Sequence, residues 1–274
     1  MTARVLINGF LEERVSALDR GLAYGDGLFE TIRAVNGKAP LWARHLARLS
    51  DGCRRLGLPA PDAGVLSQEF ARVVESIPDA VVKITLTRGC GERGYAPPEQ
   101  VDVTRIIAAF PSPLLPMDWY RDGIRVRCCE LRLAAQPRLA GIKHLNRLEQ
   151  VLARAEWSDA AVVEGLLFDP AGNLVSATAA NVFVGIEGGL LTPSVDQCGV
   201  AGVLRGALLD DLPEIRVRPM TKEGLMRADE MFLTSSVRGV LPVRTLDERA
   251  FRIGRYARAA QAHWRALGFP GGEA

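Results

Sequence analysis

Residues 140–156 read AGIKHLNRLEQVLARAE, and they place Lys143 between apolar residues just ahead of a helical pattern. Ile142 and Leu145 lie close enough in the sequence to desolvate part of the lysine side chain. Desolvation lowers the pKa of an ammonium group, and a neutral amine can act as a nucleophile or a base. An alternative stays open, because a lysine stem can pack against apolar neighbours while its charged head reaches water.

The same segment continues with apolar residues at helical spacing. Leu145, Leu148, Leu152 and Ala155 fall on one face of a helix. This periodicity predicts an amphipathic helix over residues 144–156.

Lysines are rare in this chain, although Lys and Arg together number 34. A lysine nucleophile therefore has only a few candidates, and these are Lys38, Lys83, Lys143 and Lys222. Lys38 follows a hairpin turn and Lys222 lies in a polar stretch, so both are weaker candidates than Lys143.

A glycine-rich segment, DQCGVAGVLRGALL at residues 196–209, places Gly199 and Gly202 ahead of a predicted helix. Backbone N–H groups and the helix dipole at such a start bind phosphate well. No Gly-Lys-Ser/Thr follows, so the segment is not a P-loop. Residues 234–236 (TSS) end a predicted strand and offer hydroxyls for the same purpose. Both features can equally be structural turns or caps.

A second glycine-rich segment, RGCGERGYAP at residues 88–97, contains Arg93 and Tyr95. An arginine beside a tyrosine on a flexible loop can bind a substrate carboxylate. The alternative is a solvated turn without a ligand.

The composition excludes several classes of protein. A formal net charge of +2 is too small for a nucleic-acid-binding surface. Five cysteines with no C-x-x-C pair make neither a disulfide framework nor a zinc site. Three histidines argue against a histidine-rich metal centre. With no signal peptide and no apolar run that could span a membrane, we expect a cytoplasmic protein.

Strands and helices alternate without regular βαβ spacing, which predicts an α+β fold. The predicted strands cover residues 4–10, 28–35, 81–88, 103–110, 124–133, 161–168, 173–177, 181–186, 189–192 and 230–234. The predicted helices cover residues 41–56, 144–156, 202–212 and 250–267. The proline-rich segment PSPLLP at 111–116 indicates a domain boundary. The expected division is a small domain at 1–110, a linker at 111–120 and a large domain at 121–274.

Nine segments, in order along nearly the whole chain, resemble the fold-type IV family of pyridoxal-5′-phosphate enzymes. They are SALDRGLAYGDGLFETIR, HLARL, TRGCGERGY, AGIKHLNRLEQVLARAE, ANVF, TP, QCGVAGVLR, ADEMFLTSS and LPV. The resemblance implies a smaller N-terminal α/β sandwich, a larger C-terminal pseudo-barrel with helices, and a homodimer. AGIKHLNRLEQVL, RGY and Q-x-G-V-x-G are most similar to the 4-amino-4-deoxychorismate lyase branch.

The resemblance also implies roles for single residues. Lys143 matches the lysine that carries the cofactor covalently and acts as acid and base, and Thr31 is a candidate second proton donor. The positions matched to cofactor binding, besides Lys143, are Arg48, Ser176, Val203, Leu204 and Ser236. The positions matched to substrate binding are Arg93, Tyr95 and Phe29.

Ser176 departs from the family pattern. Counting back from Asn181, the family places a glutamate for the pyridine nitrogen at this position. A carboxylate keeps that nitrogen protonated, whereas a serine can only donate a hydrogen bond to an unprotonated nitrogen. The cofactor is then a weaker electron acceptor, which counts against an aminotransferase.

The activity that the resemblance implies is conversion of 4-amino-4-deoxychorismate to 4-aminobenzoate and pyruvate, a step of folate biosynthesis. An elimination that yields an aromatic product has its own driving force and tolerates a weaker electron acceptor. The alternatives are a branched-chain or D-amino-acid aminotransferase, and a pyridoxal-phosphate-binding protein without catalysis.

Overall fold

A computed structural model describes residues 4–270 of the chain. Contacts divide these residues into two compact units. Unit 1 comprises the described residues up to Pro113 together with Ile142–Asn146, and unit 2 comprises Leu114–Gly141 and the residues from Arg147 onward. The mixture of helices and sheets confirms the α+β prediction. A helix at Met117–Arg121 occupies part of the predicted linker.

Unit 1 contains a five-stranded antiparallel sheet in the order β2-β1-β5-β4-β3. The strands are β1 Arg4–Ile7, β2 Phe10–Leu11, β3 Gly27–Val35, β4 Asp79–Thr87 and β5 Thr104–Pro111. The helices are α1 Arg20–Tyr24, α2 Trp42–Leu56 and α3 Ala63–Val74. The prediction of one strand over residues 4–10 was wrong, because Asn8 and Gly9 take positive φ angles and turn the chain.

The core of unit 1 follows from the alternation of side chains along its strands. Residues of even number on β3 and β4 are buried, including Leu28, Ile32, Val82 and Ile84, all at most 1% exposed. The long helices α2 and α3 cover the sheet through their own apolar residues. The other face carries Phe29, Thr31 and further odd-numbered residues, and it is less buried.

Residues 142–146 join unit 1 by pairing along the outer edge of β3. The Phe29 N–H donates to the Lys143 carbonyl at 2.9 Å, and the Leu145 N–H donates to the Gly27 carbonyl at 3.0 Å. This segment is therefore bridged to β3 and not helical, and the helix begins only at Leu148. The prediction of a helix over 144–156 was wrong at its start, because pairing with β3 satisfies these backbone groups.

Unit 2 contains a nine-stranded sheet in the order β11-β10-β9-β12-β13-β6-β7-β8, with β14 paired to β13. The strands are β6 Ile124–Arg132, β7 Val162–Phe168, β8 Leu174–Ala177, β9 Asn181–Ile186, β10 Gly189–Thr192, β11 Ile215–Val217, β12 Glu230–Ser235, β13 Gly239–Leu246 and β14 Arg249–Ala250. The helices are α4 Met117–Arg121, α5 Leu148–Arg154, α6 Val203–Asp211, α7 Lys222–Leu225 and α8 Arg255–Ala266.

The sheet of unit 2 is strongly curled. β8 stands at one end of the order, yet it also lies against β9 near the other end. Its interior is a cluster of buried apolar residues from most of the strands, with Val182, Val184 and Val243 fully buried. Helix α6 begins where the glycine-rich segment predicted a helix start.

Helix α5 does not bury the face that its periodicity predicted. Leu148 is 75% exposed and Leu152 is 60% exposed, while Ala153 is fully buried. The helix forms within the predicted range, and its leucine face is exposed in this chain. Among the described residues, no helix is long and apolar enough to cross a membrane.

Candidate active site

Lys143 is held at the edge of the unit 1 sheet by its own backbone. Its carbonyl accepts the Phe29 N–H, and His144 bridges to Leu28 in antiparallel register. Lys143 and Phe29 therefore point to the same face of the sheet. The Lys143 Nζ lies 4.2 Å from the centre of the Phe29 ring. The lysine side chain is half-buried, and this aromatic contact fixes the position of its amine.

The same face carries a second candidate and a second lysine. Thr31 follows Phe29 by two residues on β3 and stands opposite Lys83 of β4. The Lys83 Nζ lies 5.4 Å from the Phe29 ring. The structure therefore brings three predicted residues, Lys143, Phe29 and Thr31, together on one face of unit 1.

Arg48 belongs to a buried charged cluster on the opposite face of the same sheet. Its Nε donates to Glu30 Oε1 at 2.8 Å, and its Nη2 donates to Glu30 Oε2. His45 Nδ1 lies 2.6 Å from Glu30 Oε2. Glu30 and His45 are each 1% exposed. Glu30 thereby fixes the orientation of the Arg48 guanidinium.

The charges in this cluster shift both pKa values. Burial alone raises the pKa of the Glu30 carboxyl, but Arg48 and His45 outweigh it and lower that pKa to about 2. Burial, followed by the positive charges of Arg48 and Lys143, lowers the pKa of His45 despite its bond to Glu30. Glu30 is therefore ionised and His45 neutral at pH 7. Sequence reasoning placed Glu30 on the strand that lines the substrate side but gave neither it nor His45 a role in this cluster, although a glutamate at a core position of β3 was a visible signal.

Arg93 and Tyr95 lie on the exposed loop that follows β4. The Tyr95 side chain is 86% exposed, and its ring centre lies 5.4 Å from that of Tyr24. Their exposure makes both side chains accessible to a ligand. No described contact places them beside Lys143 within this chain.

Unit 2 contains the predicted anion-binding helix start. The N-cap of α6 is Gly202, so the cap supplies no side-chain acceptor to the N–H groups of the first turn, which begins with Val203 and Leu204. A Cβ atom at Gly202 would lie 2.0 Å from Asn181 Oδ1. This close approach requires glycine, and Asn181 Nδ2 also donates to the Val200 carbonyl at 2.9 Å.

Thr234 adds a hydroxyl from the 234–236 cluster, in which the resemblance had singled out Ser236. It pairs with Asn181 across β12 and β9, which places it near the start of α6. Its side chain is 2% exposed, and its Oγ1 has no hydrogen-bond partner among the described residues. A buried hydroxyl without a partner is costly and points to a polar ligand. Ser236 follows two residues later, in the turn between β12 and β13.

Ser176 lies on β8, where it is 7% exposed and pairs with Leu167 of β7. A different carboxylate, Glu164, is buried nearby on β7. Its oxygens accept hydrogen bonds from Thr178 Oγ1 and from the Arg238 guanidinium. Glu164 is thus already satisfied by these two neighbours, and it does not replace the missing carboxylate at position 176.

These residues fit pyridoxal 5′-phosphate. Within unit 1, Lys143 offers an amine. Within unit 2, the start of α6 offers N–H donors, and the Thr234 hydroxyl lacks a partner among the described residues. The ring-nitrogen position offers a hydroxyl in place of a carboxylate. Ser176 departs from the set that the resemblance implies, because its hydroxyl is a weaker partner for the ring nitrogen than a carboxylate.

Comparison with known proteins gives the same family. The amino-transferase class IV family matches residues 27–246. An aminodeoxychorismate lyase from Vibrio harveyi is 32% identical over 94% of this chain and 98% of its own. The crystal structure of a 4-amino-4-deoxychorismate lyase from Pseudomonas aeruginosa superposes with a TM-score of 0.91 and 44% identity, covering 96% of this chain and 98% of that one.

An aminotransferase shares the fold at lower identity. The branched-chain amino acid aminotransferase from Escherichia coli has a TM-score of 0.84 and 24% identity, covering 96% of this chain and 93% of its own. At this identity the likeness shows the fold alone.

Proposed function

The chain belongs to the amino-transferase class IV family, and from this premise we propose that it is a pyridoxal-phosphate-dependent 4-amino-4-deoxychorismate lyase. The reaction splits 4-amino-4-deoxychorismate into 4-aminobenzoate and pyruvate. One observation carries this proposal, namely 44% identity to a lyase of known structure over nearly the full length of both chains. A role in folate biosynthesis and a cytoplasmic location are parts of the same proposal.

Five residues of this chain hold the cofactor phosphate in our proposal. The N–H groups of Val203 and Leu204 donate from the start of α6, where the helix dipole favours an anion. Ser236 and Thr234 donate hydroxyls. Arg48 adds a positive charge, and Glu30 keeps its guanidinium in one orientation. Ser176 donates a hydrogen bond to the ring nitrogen.

When bound, pyridoxal 5′-phosphate would supply an aldehyde for the substrate amine and an electron-withdrawing ring. Lys143 moves the proton. Its Nζ takes the hydrogen from C4 of the substrate as a general base. The C3–O bond then breaks, and the enolpyruvyl group leaves and becomes pyruvate on protonation. The ring is left aromatic as 4-aminobenzoate.

Thr31 is the second proton donor in this proposal. It shares the face of the sheet with Lys143 and Phe29, so its hydroxyl lies on the side where the amine acts. Protonation of the departing enolpyruvyl group requires such a donor. Phe29 restricts the position of the amine and presents an apolar surface to the substrate ring.

Arg93 and Tyr95 bind a substrate carboxylate, and we propose that they do so in the active site of a second subunit. Their side chains are exposed in this chain. Helix α5 independently carries an apolar face, with Leu148, Val151 and Leu152 exposed by 75%, 61% and 60%. Apolar surface of this kind is typical of subunit contacts. A homodimer explains both features.

The decisive assay uses purified protein saturated with pyridoxal 5′-phosphate. On addition of 4-amino-4-deoxychorismate, we expect pyruvate and 4-aminobenzoate in equal amounts without any oxo-acid acceptor. Lys143→Ala removes the amine and abolishes turnover. Lys38→Ala alters an exposed lysine of the same unit and serves as the matched control.

A parallel assay tests the alternatives. Transfer of the amino group from D-alanine or leucine to 2-oxoglutarate, without release of pyruvate from the chorismate derivative, contradicts the lyase proposal in favour of an aminotransferase. Binding of the cofactor without turnover of either substrate contradicts every catalytic role.

A further inference from the structure

The segment LDRGLAYGDG at residues 18–27 precedes β3 and has no role in the function proposed above. It contains Arg20, which is 4% exposed although it carries a full charge. A buried arginine is retained only where its five N–H donors find acceptors. The acceptors of Arg20 show what the segment does.

Arg20 binds the backbone of the loop at residues 88–97, here called the substrate loop. Its Nη1 donates to the Gly94 carbonyl at 3.0 Å, and its Nη2 donates to the Tyr95 carbonyl at 3.2 Å. Its Nε donates to Asp26 Oδ2 at 3.0 Å. The Arg20 guanidinium thus attaches Gly94 and Tyr95 of the substrate loop to the segment ahead of β3.

Asp26 links Arg20 to Arg88, the first residue of the substrate loop. Arg88 donates from Nε to Asp26 Oδ2 at 2.8 Å and from Nη2 to Asp26 Oδ1 at 3.1 Å. Arg88 also donates to the carbonyls of Leu56 and Gly57, at the end of α2. Burial acts to raise the pKa of Asp26, but Arg88 and Arg20 lower it overall, so the carboxylate is ionised.

Two buried guanidinium groups share the Asp26 carboxylate, which cannot accept all of their N–H groups. Backbone carbonyls accept the remaining hydrogen bonds that the structure shows, and for Arg20 these carbonyls belong to the substrate loop.

Tyr24 provides a second attachment at the same point. Its hydroxyl accepts the Gly94 N–H at 3.3 Å, and its ring lies 4.9 Å from the Arg20 guanidinium. Gly94 is thus bound through both its N–H and its carbonyl, at a φ of +105°. At Gly91 an added Cβ would lie 3.0 Å from Arg20 Cδ, so the loop also packs closely on the arginine stem.

We propose that Arg20 is a positioning residue that fixes the substrate loop and so presents Arg93 and Tyr95 to the substrate. The fixed points are the two residues that follow Arg93, while the side chains of Arg93 and Tyr95 remain exposed. Ordering the loop before binding removes an entropic cost from substrate binding. The functional part of this inference rests on the proposed function, in which the loop binds a substrate carboxylate.

The test uses the holoenzyme with Arg20→Lys, which keeps a positive charge near Asp26 but cannot reach both carbonyls. Trypsin cleavage of the Arg93–Gly94 bond, followed by mass spectrometry without substrate, measures release of the loop. We expect cleavage to be about tenfold faster than in the wild type, because two hydrogen bonds to the loop are lost. Arg33→Lys alters another buried arginine of unit 1, paired with Asp79, and leaves this rate unchanged.

Steady-state kinetics of the same variants test the positioning role. In Arg20→Lys, the KM for 4-amino-4-deoxychorismate rises about tenfold while kcat changes less than about threefold, since the reacting groups are intact. If Arg20→Lys is cleaved at the wild-type rate, Arg20 does not hold the substrate loop, and the inference is overturned. Faster cleavage with an unchanged KM overturns the positioning role.

Two further outcomes keep the two proposals apart. A wild-type enzyme without lyase turnover refutes the proposed function, yet the cleavage rate still decides whether Arg20 holds the loop. Should Arg20→Lys fail to fold, Tyr24→Phe removes only the hydroxyl that binds Gly94. We then expect cleavage about two- to threefold faster than in the wild type, and an unchanged rate counts against the proposal.

Discussion

Replacing Glu30 by glutamine removes the negative charge at the centre of the buried cluster in unit 1. The Glu30 carboxylate accepts from Arg48 Nε at 2.8 Å and from His45 Nδ1 at 2.6 Å. A glutamine offers one oxygen and turns an NH₂ group towards these donors. The Arg48 charge then remains in a largely buried place without its counter-ion.

The pKa of Glu30 gives the size of the effect. It lies at about 2 in the folded protein, against 4.5 for the free group. At about 1.4 kcal/mol for each pH unit, this difference corresponds to about 3 kcal/mol of folding free energy at pH 7. Neutralising one partner of a buried ion pair costs about 3–5 kcal/mol in general, which is the same order.

The pH dependence follows from the sign of this shift. A lowered carboxyl pKa stabilises the folded state fully above 4.5, and this stabilisation is lost as pH falls from 4.5 towards 2. The wild type therefore loses stability in that window through Glu30. The glutamine variant lacks this contribution, so the difference in stability between the two proteins narrows below pH 4.5.

Thermal unfolding of the holoenzyme measures both effects. We expect Glu30→Gln to lower Tm by about 6–12 °C at pH 7, from about 2–4 °C for each kcal/mol in a chain of this size. Glu75→Gln is the control, because Glu75 pairs with Arg4 at the surface, where the side chains are 69% and 43% exposed. That change costs less than about 1 kcal/mol. A Tm for Glu30→Gln within about 2 °C of the wild type refutes the reasoning.

Three further predictions concern the cofactor, the reaction and the assembly. Thr234→Val removes the buried hydroxyl and weakens binding of pyridoxal 5′-phosphate about tenfold, measured by its absorbance. Thr245→Val alters another buried hydroxyl without a described partner and leaves the affinity unchanged. Ser176→Glu places a carboxylate at the ring-nitrogen position and raises amino transfer from D-alanine about tenfold relative to lyase turnover; equal ratios in both proteins contradict the role given to Ser176. Leu152→Glu places a charge on the apolar face of α5 and converts a dimer to monomers in sedimentation, whereas Val65→Glu on α3 does not.

Local patterns along the chain were sufficient for the elements whose partners lie close in sequence. The apolar spacing in residues 41–56 predicted α2, which the structure begins at Trp42 and ends at Leu56. The glycines at 199 and 202 predicted the start of α6, which begins at Val203. Lys143 was also identifiable as a candidate nucleophile, because the sequence has only four lysines and this one lies between apolar neighbours.

Local patterns failed where a distant partner changes the outcome. Residues 144–147 have helical spacing, yet 142–146 pair with β3, more than 100 residues earlier in the chain. Backbone hydrogen bonds to that strand replace those of a helical turn, so the preference of the segment for helix is overridden. Helix α5 likewise buries Ala153 and leaves its leucines exposed. The sheet against which a helix packs decides which of its faces is covered.

The sequence by itself determined the α+β class and the family, and it singled out Lys143 as the candidate lysine, because these depend on residue types and spacing along the chain. Only the tertiary structure decided that Glu30 orients Arg48, that Thr234 lies near the start of α6, and that Arg20 holds the substrate loop. Each of these contacts joins residues on different elements. Burial then determines their strength, because charges and hydroxyls removed from water depend on the neighbours that the fold provides.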